Sequence, residues 1–317
     1  MTAAFGAGVV AYAPGSIGNF GPGMDMLGCA LTGAGDEVHA KVIDTPGIVV
    51  LDSGHADLST DAEQHACAIA ARAVLQHAGV PNLGIALNVK KGLPLSAGQG
   101  GSAASSVAAA VAVNALLADI NIDSLDTHSL LSACLVAESA VAGRHLDNIA
   151  PSLLGGVCCI RCIDPPDVSR IPVTAQLWIA LAHPHILVRT ADARSVLPQF
   201  VPRQLLIDQL ASVGALITGL VTGDLDLIGR ALVDHYAEPA RAALVPGFYE
   251  AKRAAVDAGA LGGSFSGSGP TTFMICATQA IALAAAEAMR WSFEVSGVSC
   301  SARVATIDFE GARWHRV

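Results

Sequence analysis

The chain has 317 residues, 52% hydrophobic, 14% charged and only 4% aromatic, enough apolar sequence for one large or two ordinary cores built mainly from Ala, Val, Leu and Ile. Its formal charge of −9, with 18 Lys+Arg against 27 Asp+Glu and no basic run, argues against a nucleic-acid partner, which needs a concentrated basic surface. An anionic ligand must therefore be held by backbone amides and a few placed arginines.

Met1 to Ala13 is apolar but lacks a basic n-region, and Tyr12 and Pro14 stand where a signal-peptide cleavage site would fall, so Val9 to Ala13 reads as the first strand of a cytoplasmic protein. Pro14 ends that strand, and Gly15 to Gly23 follows as a turn-rich loop. Val38 to Ile43 and Ile48 to Leu51 read as paired strands around Asp44 to Gly47. A polar stretch, Asp52 to Glu63, leads into a helix over His65 to Ala78 that Gly79 stops. Ile85 to Val89 alternates as a strand and delivers the chain into the small-residue segment Gly92 to Ser106. A helix over Ser102 to Ala118 follows; it is mostly alanine but carries Ser105, Ser106 and Asn114, and reads as a buried helix and not a membrane span.

Asp126 to Ala142 supplies another helix, with Glu138 on an otherwise apolar surface. Val157 to Ile163 reads as a strand carrying Cys158, Cys159 and Cys162. A zinc site would need a second ligand pair at compatible spacing, so these read as small buried thiols, and the eight scattered cysteines fit a reducing compartment. Asp164-Pro-Pro-Asp167 is the clearest break and places a domain boundary near residues 155 to 168. Beyond it come strands over Gln176 to Ala182 and Ile186 to Val188, helices over Pro202 to Thr222, Asp224 to Asp234 and Gly247 to Ala258, a strand over Thr271 to Cys276 and a helix over Thr278 to Arg290. Strands and helices mix in both halves without strict alternation, which predicts an α+β architecture of two lobes with a cleft between them.

A strand, a glycine-rich loop and a helix N-terminus together make an anion site, because unpaired amides point outward where the helix dipole is positive. The alternative is a tight loop packed on its own helix. Gly98-Gln-Gly-Gly-Ser-Ala103 also satisfies GxGxxA, the dinucleotide fingerprint, but Gly92 to Ser96 separates it from the strand and Asp119 and Asp123 do not end a second strand. A Walker A loop is excluded because no GK[ST] is present. A second small-residue loop, Gly262-Gly-Ser-Phe-Ser-Gly-Ser-Gly-Pro-Thr271, makes a second wall for the same anion.

Pro14 to Asp25, Leu93 to Ser105 and Gly262 to Thr271 together resemble the three motifs of the GHMP small-molecule kinases, in order, at comparable spacing and over nearly the whole chain. Within that superfamily the likeness is greatest to the homoserine kinases. It rests on Tyr12-Ala-Pro-Gly-Ser-Ile-Gly-Asn-Phe-Gly-Pro-Gly-Met-Asp25, His145-Leu-Asp-Asn-Ile-Ala-Pro151, Thr190-Ala-Asp-Ala-Arg194 and Ala237-Glu-Pro-Ala-Arg241. The resemblance implies a two-lobed GHMP kinase fold: a ribosomal-protein-S5-like, ATP-binding domain over residues 1–160, and a ferredoxin-like domain over 161–317 that completes the substrate site. It implies ATP-dependent phosphorylation of the side-chain hydroxyl of L-homoserine, a step toward threonine.

By the same resemblance, Pro94, Leu95, Ser96, Ala97, Gly98, Gln99, Gly100, Gly101 and Ser102 wrap the triphosphate of ATP, with amides as far as Ala103 and Ala104, while Gly267, Ser268 and Gly269 close over it. Ser102 and Glu138 hold Mg²⁺. Asn19, Asp25, His145, Thr190, Arg194 and Arg241 line the homoserine pocket, and Asp147 and Asn148 lie near the hydroxyl that is phosphorylated. The chain departs from the family loop GLGSSA at Gln99, where the family has leucine, and at Gly101, where it has serine, which removes one hydroxyl contact. The interval from Glu138 to His145 is one residue shorter than the family pattern.

The residues support this chemistry on their own terms. A zwitterionic amino acid needs an anion for its ammonium and cations for its carboxylate; Asp25 fits the first role and Arg194 and Arg241 the second. Taken singly, Asp25 can equally be a loop cap, either arginine a surface ion-pair member, and His145 a structural histidine. Glu138 is costly to bury unpaired, and either a magnesium ion or a structural ion pair would compensate it. Phosphoryl transfer asks mainly for alignment and charge neutralisation, so no essential side-chain base is expected, with Asn148 positioning the hydroxyl. The alternatives are a GHMP kinase acting on another small alcohol, mevalonate-like or sugar-like; a nucleotide-binding regulatory protein without turnover; and a dehydrogenase. The oligomeric state stays open, with a homodimer as one option.

Overall fold

The computed structural model describes residues 8–317, so the first seven residues of the expected apolar start lie outside the described residues. In chain order the first half contains β1 (Val9–Gly18), β2 (Leu27–Ile43), β3 (Ile48–Asp52), α1 (Ala66–His77), β4 (Gly84–Lys90), α2 (Gly101–Leu117), α3 (Thr127–Val141), α4 (Ile149–Leu154), β5 (Val157–Ile163) and β6 (Pro166–Ile171). The second contains β7 (Trp178–Pro184), α5 (Thr190–Ser195), α6 (Arg203–Thr222), α7 (Leu225–Ala231), α8 (Ala237–Arg241), α9 (Phe248–Asp257), β8 (Gly262–Phe265), β9 (Thr272–Cys276), α10 (Gln279–Val295), β10 (Cys300–Thr306) and β11 (Arg313–Arg316).

Two sheets organise these elements. The first runs β11-β1-β2-β4-β3, with β5 branching from β2 and β6 paired to β5; the second runs β10-β7-β9-β8. Helix α2 is apolar all round and buried over nearly its whole length, as the sequence predicts for a core helix. It packs with α1 and α3 on one face of the first sheet, where Val9, Val38, Ile85 and Leu87 meet Val107, Ala108 and Val111. A second cluster joins the two sheets: Ile17, Phe20 and Leu27 pack on Leu181, Leu216 and Phe273, with the Phe20 and Phe273 rings stacked at 5.4 Å. A third lies between the second sheet and α9 and α10, around Phe248, Met274, Met289 and Phe293.

Several sequence expectations change. Strand β1 does not stop at Pro14 but continues to Gly18 through an irregularity between Pro14 and Ser16, because the turn-rich segment finds partners in β2, Ile17 opposite Cys29. Ile48 to Leu51 does not pair with Val38 to Ile43. Both edges of that part of β2 are already occupied, Val38 lying opposite Ala11 on one side and Val89 on the other, so β3 pairs in parallel with β4 instead. Ile186 to Val188 is not a strand: β7 ends at Pro184 and the chain turns irregularly into α5. The break at Asp164 to Asp167 is the two-residue turn Asp164-Pro165 of the β5–β6 hairpin and the start of β6, so the first sheet extends past residue 160 to Ile171 and takes back β11 from the C-terminal end. Of the clustered thiols, Cys158 is buried, whereas Cys159 and Cys162 are only partly so.

Candidate active site

Strand β4 ends at Lys90, the loop Lys91–Gly100 turns back across the cleft, and α2 begins at Gly101. Two glycines there are demanded by close approach. Gly98 and Gly100 have φ of +73° and +68°, and a Cβ at either would come within 2.3 Å of a neighbouring segment, at Ser266 O of the second loop or Ser16 Oγ of β1. Gly101 differs: its backbone is not in the left-handed region, and a Cβ would meet nothing nearer than Lys91 Nζ at 3.5 Å. No side chain caps α2, so the first N–H groups of its N-terminus are left for a ligand.

The second glycine loop, between β8 and β9, is hydrogen-bonded directly to the first. Ser266 Oγ donates to Gly98 O at 2.6 Å, Thr271 N–H donates to Ala97 O at 3.3 Å, and Gly267 N–H donates to Gly18 O at 2.9 Å. The two loops wall a cavity of about 490 Å³. Pro94 to Gly98, Gly100, Gly101, Ser102, Gly267 and Ser268 line it, whereas Ala103 and Ala104 lie buried in α2 and Gly269, close to Gly98 through its carbonyl, is not part of the lining. Gln99 is also turned away from the cavity.

At the inner end of the loop, Ser102 Oγ lies 3.2 and 3.0 Å from the two carboxylate oxygens of Glu138. Glu138 is almost fully buried in α3, and burial pushes its carboxyl up to about 7, against a lowering by the Ser102 hydrogen bond and a further rise from Asp147. Among the described residues no cation stands within ion-pair distance of it. A hydroxyl beside a carboxylate that is costly to keep charged is a donor set suited to a hard divalent cation.

The rest of the cavity wall is built from charged and polar side chains. Arg241 on α8 is 2% exposed; its Nε donates to Ala193 O at 3.0 Å and its Nη1 to Gly267 O at 3.1 Å. Among the described residues no carboxylate comes within ion-pair distance of this guanidinium, and burial, then neighbouring Arg194, lowers its pKa. Asp25 and Arg194, read separately as anion and cation for a ligand, pair with each other in a two-pronged contact of 2.6 and 3.3 Å. Asp25 does not itself line the cavity; Asn19 and Arg194 do. Asn19 and Asp25 both take left-handed backbone, and Asn19 Oδ1 accepts from Asp25 N–H at 2.8 Å, which fixes that turn.

His145, Asp147, Asn148 and Thr190 complete the lining. His145 is buried and its Nδ1 has no hydrogen-bond partner among the described residues, an orphaned polar atom beside the cavity. Asp147 Oδ2 accepts from Asn19 N–H at 2.8 Å; burial pushes its carboxyl up and His145 pulls it back. Asn148 Oδ1 accepts from Ser16 Oγ at 3.0 Å. Thr190 Oγ1 lies 3.4 Å from Ser268 Oγ, tying α5 to the second loop.

Three residues of the site escape the sequence reading. Ser16, on the irregular part of β1, orients Asn148. Lys91 is buried at the cavity wall, paired with Asp36 and donating to Gly101 O at 3.0 Å and Ser105 Oγ at 2.9 Å. His65 caps α1 and lines the mouth of the cavity, its pKa lowered by burial. A lysine directly before the glycine loop was the available signal for Lys91; its partner Asp36 lies 55 positions away.

Comparison with known proteins supplies the family. A model of the GHMP kinases N terminal domain matches residues 65–156, and a model described as GHMP kinases C terminal matches residues 216–294. The homoserine kinase of Chloroherpeton thalassium is 39% identical over 318 residues, covering 96% of this chain and 98% of that protein. The crystal structure of homoserine kinase from Cytophaga hutchinsonii superposes with a TM-score of 0.92 at 36% identity, over 99% of each chain. A crystal structure of L. major mevalonate kinase in complex with R-mevalonate superposes with a TM-score of 0.71 over 96% of each chain, and at 17% identity it speaks to the fold alone.

Proposed function

The chain belongs to the GHMP kinases and, within them, to the homoserine kinases, and on that premise we propose how its cavity works. The reaction is ATP-dependent phosphorylation of the side-chain hydroxyl of L-homoserine to O-phospho-L-homoserine. In our reading the triphosphate lies along Pro94 to Ser102, against the free amides at the start of α2, with Gly267 and Ser268 opposite. Ser102 and Glu138 would hold Mg²⁺, which when bound would offset the charge of the phosphates; the buried carboxylate without a cation supports this assignment.

The observation that carries the substrate assignment is Arg241, a buried guanidinium without a carboxylate partner among the described residues, facing the same cavity as the phosphate loop. The α-carboxylate of an amino acid supplies that counter-charge. Arg194 adds to it, Asp25 acts from behind the lining through its pair with Arg194 and leaves a negative charge near the ammonium, and Asn19, His145 and Thr190 shape the pocket. Asn148 orients the hydroxyl, its own amide oxygen fixed by Ser16. Asp147 contributes by holding Asn19 N–H, because a loose phosphoryl-transfer transition state gains more from alignment than from a strong base. The new O–P bond forms as the bond to ADP breaks, and the hydroxyl proton is lost late to the transferred phosphoryl oxygens.

The two halves contribute differently: residues 1–160 bring Ser102 and Glu138, and residues 161–317 bring Thr190, Arg194, Arg241 and the second glycine loop. We read the enzyme as cytoplasmic and its assembly as open to a homodimer. A coupled ADP-release assay across homoserine, mevalonate, galactose and shikimate tests the substrate assignment: ADP release dependent on homoserine is expected, and its absence contradicts the reading.

A further inference from the structure

Gln99 lies in the middle of the phosphate loop, yet its side chain leaves the cavity and is buried on the far side. Its Nε2 donates to Thr271 Oγ1 at 3.3 Å, and its Oε1 accepts from Arg303 Nη2 at 2.9 Å. Arg303 stands on β10 and also donates through Nη1 to Thr32 O of β2 at 3.1 Å. Among the described residues no carboxylate comes within ion-pair distance of this guanidinium, and burial lowers its pKa. Its acceptors are therefore two neutral oxygens, one of them on the phosphate loop. The backbone of Gln99 is tied as well, its carbonyl accepting from Ser16 N–H at 3.1 Å. Thr271, in turn, meets His183 Nδ1 of β7 at 3.2 Å.

We propose that Gln99 and Arg303 are positioning residues for ATP: their hydrogen bond anchors the phosphate loop to the second sheet and sets where the amides of Gly98, Gly100 and Gly101 stand. A half-buried charged donor that loses its acceptor keeps much of its desolvation cost, so this chain cannot simply exchange Gln99 for an apolar residue of similar size. Leucine at this position would leave Arg303 one oxygen short and free the loop from β10. Phosphate-binding amides are effective only when held in place before the ligand arrives. Nucleotide affinity thus depends on a contact outside the cavity, while the amino-acid end, which Gln99 does not touch, is spared.

The inference rests on the phosphate loop binding ATP, as proposed above, and its test uses nucleotide without homoserine. AMP-PNP with Mg²⁺ is titrated calorimetrically into the wild type, Gln99→Leu, Arg303→Met and the double variant, followed by steady-state kinetics. Gln99→Leu is expected to weaken AMP-PNP binding about tenfold and to raise KM for ATP alike, with KM for homoserine unchanged. The double variant should bind no more weakly than Gln99→Leu alone, since removing both partners leaves no orphaned charge. An unchanged AMP-PNP affinity in Gln99→Leu, or equal rises in both KM values, overturns the proposal. If Gln99→Leu does not fold, Gln99→Glu keeps an oxygen for Arg303 and is expected to bind AMP-PNP like the wild type; a tenfold loss in that folded variant overturns it equally. A chain that binds AMP-PNP normally but releases no ADP with homoserine contradicts the substrate assignment and leaves this proposal standing.

Discussion

The two ends of the cavity are made of different materials. The nucleotide end is backbone: glycines at 98 and 100 pressed against Ser266 and Ser16, a helix start without a side-chain cap, and a second loop hydrogen-bonded to the first. The substrate end is side chain: Arg241 held by carbonyl oxygens, and Asp25 and Arg194 satisfying one another. In our reading a polyanion common to many kinases is met by geometry fixed in advance, whereas a small zwitterion is met by charges whose identity selects it. The first end should therefore be sensitive to shape and to the metal-binding carboxylate, and the second to charge.

Glu138→Gln should have the largest effect. With the carboxylate that we propose holds Mg²⁺ gone, kcat at saturating substrates should fall about a thousandfold. The same change tests the burial argument by stability. Glu138 has its carboxyl raised from 4.5 to about 7, so the folded state binds that proton more tightly than the unfolded chain. Its cost is absent below about 4.5, grows as pH rises and is complete above about 7. The ligand-free variant should thus be more stable than the wild type at pH 8, by up to about 3 kcal/mol, and equal to it at about pH 4.5. Thermal melts at both values check the sign. Proton and cation also compete for this carboxylate, so the Mg²⁺ concentration for half-maximal rate should fall as pH rises from about 6 to 8; a flat profile would place the metal on other ligands.

At the other end, Asp25→Asn should raise KM for homoserine about tenfold and leave KM for ATP alone, since it breaks the pair that holds Arg194 and removes the negative charge our reading assigns to the ammonium. The smallest effect belongs to Gly101→Ser. A Cβ there meets only ordinary contacts, so kcat/KM should stay within about twofold of the wild type. A large loss would mean that Gly101, like Gly98 and Gly100, is fixed by close approach.

What the sequence made legible follows the same division. The phosphate loop could be read locally, because a strand, glycines in a short interval and an alanine-rich helix lie side by side in the chain. Glu138 could be read because a carboxylate in an apolar helix has few structural explanations. Distant pairings could not. Asp25 and Arg194 lie 169 positions apart, and nothing local says that each is the other's partner. Gln99 looked like a loop residue facing the phosphates; its outward turn depends on Arg303, 204 positions away. The fold shows the same limit: β3 next to β2 in sequence invited a hairpin, and only the occupation of both edges of β2 excludes it.

The division between a backbone end and a charged end is tested most directly at Arg241. Arg241→Gln keeps an N–H donor at the place of Nε for Ala193 O, and Asn19 Nδ2 still donates to Gly267 O at 2.9 Å, while the charge that our reading turns toward the amino acid is removed. Steady-state kinetics should show KM for homoserine raised about a hundredfold with KM for ATP unchanged. Equal rises in both, or no change in either, would contradict the assignment of this end of the cavity to the carboxylate of homoserine.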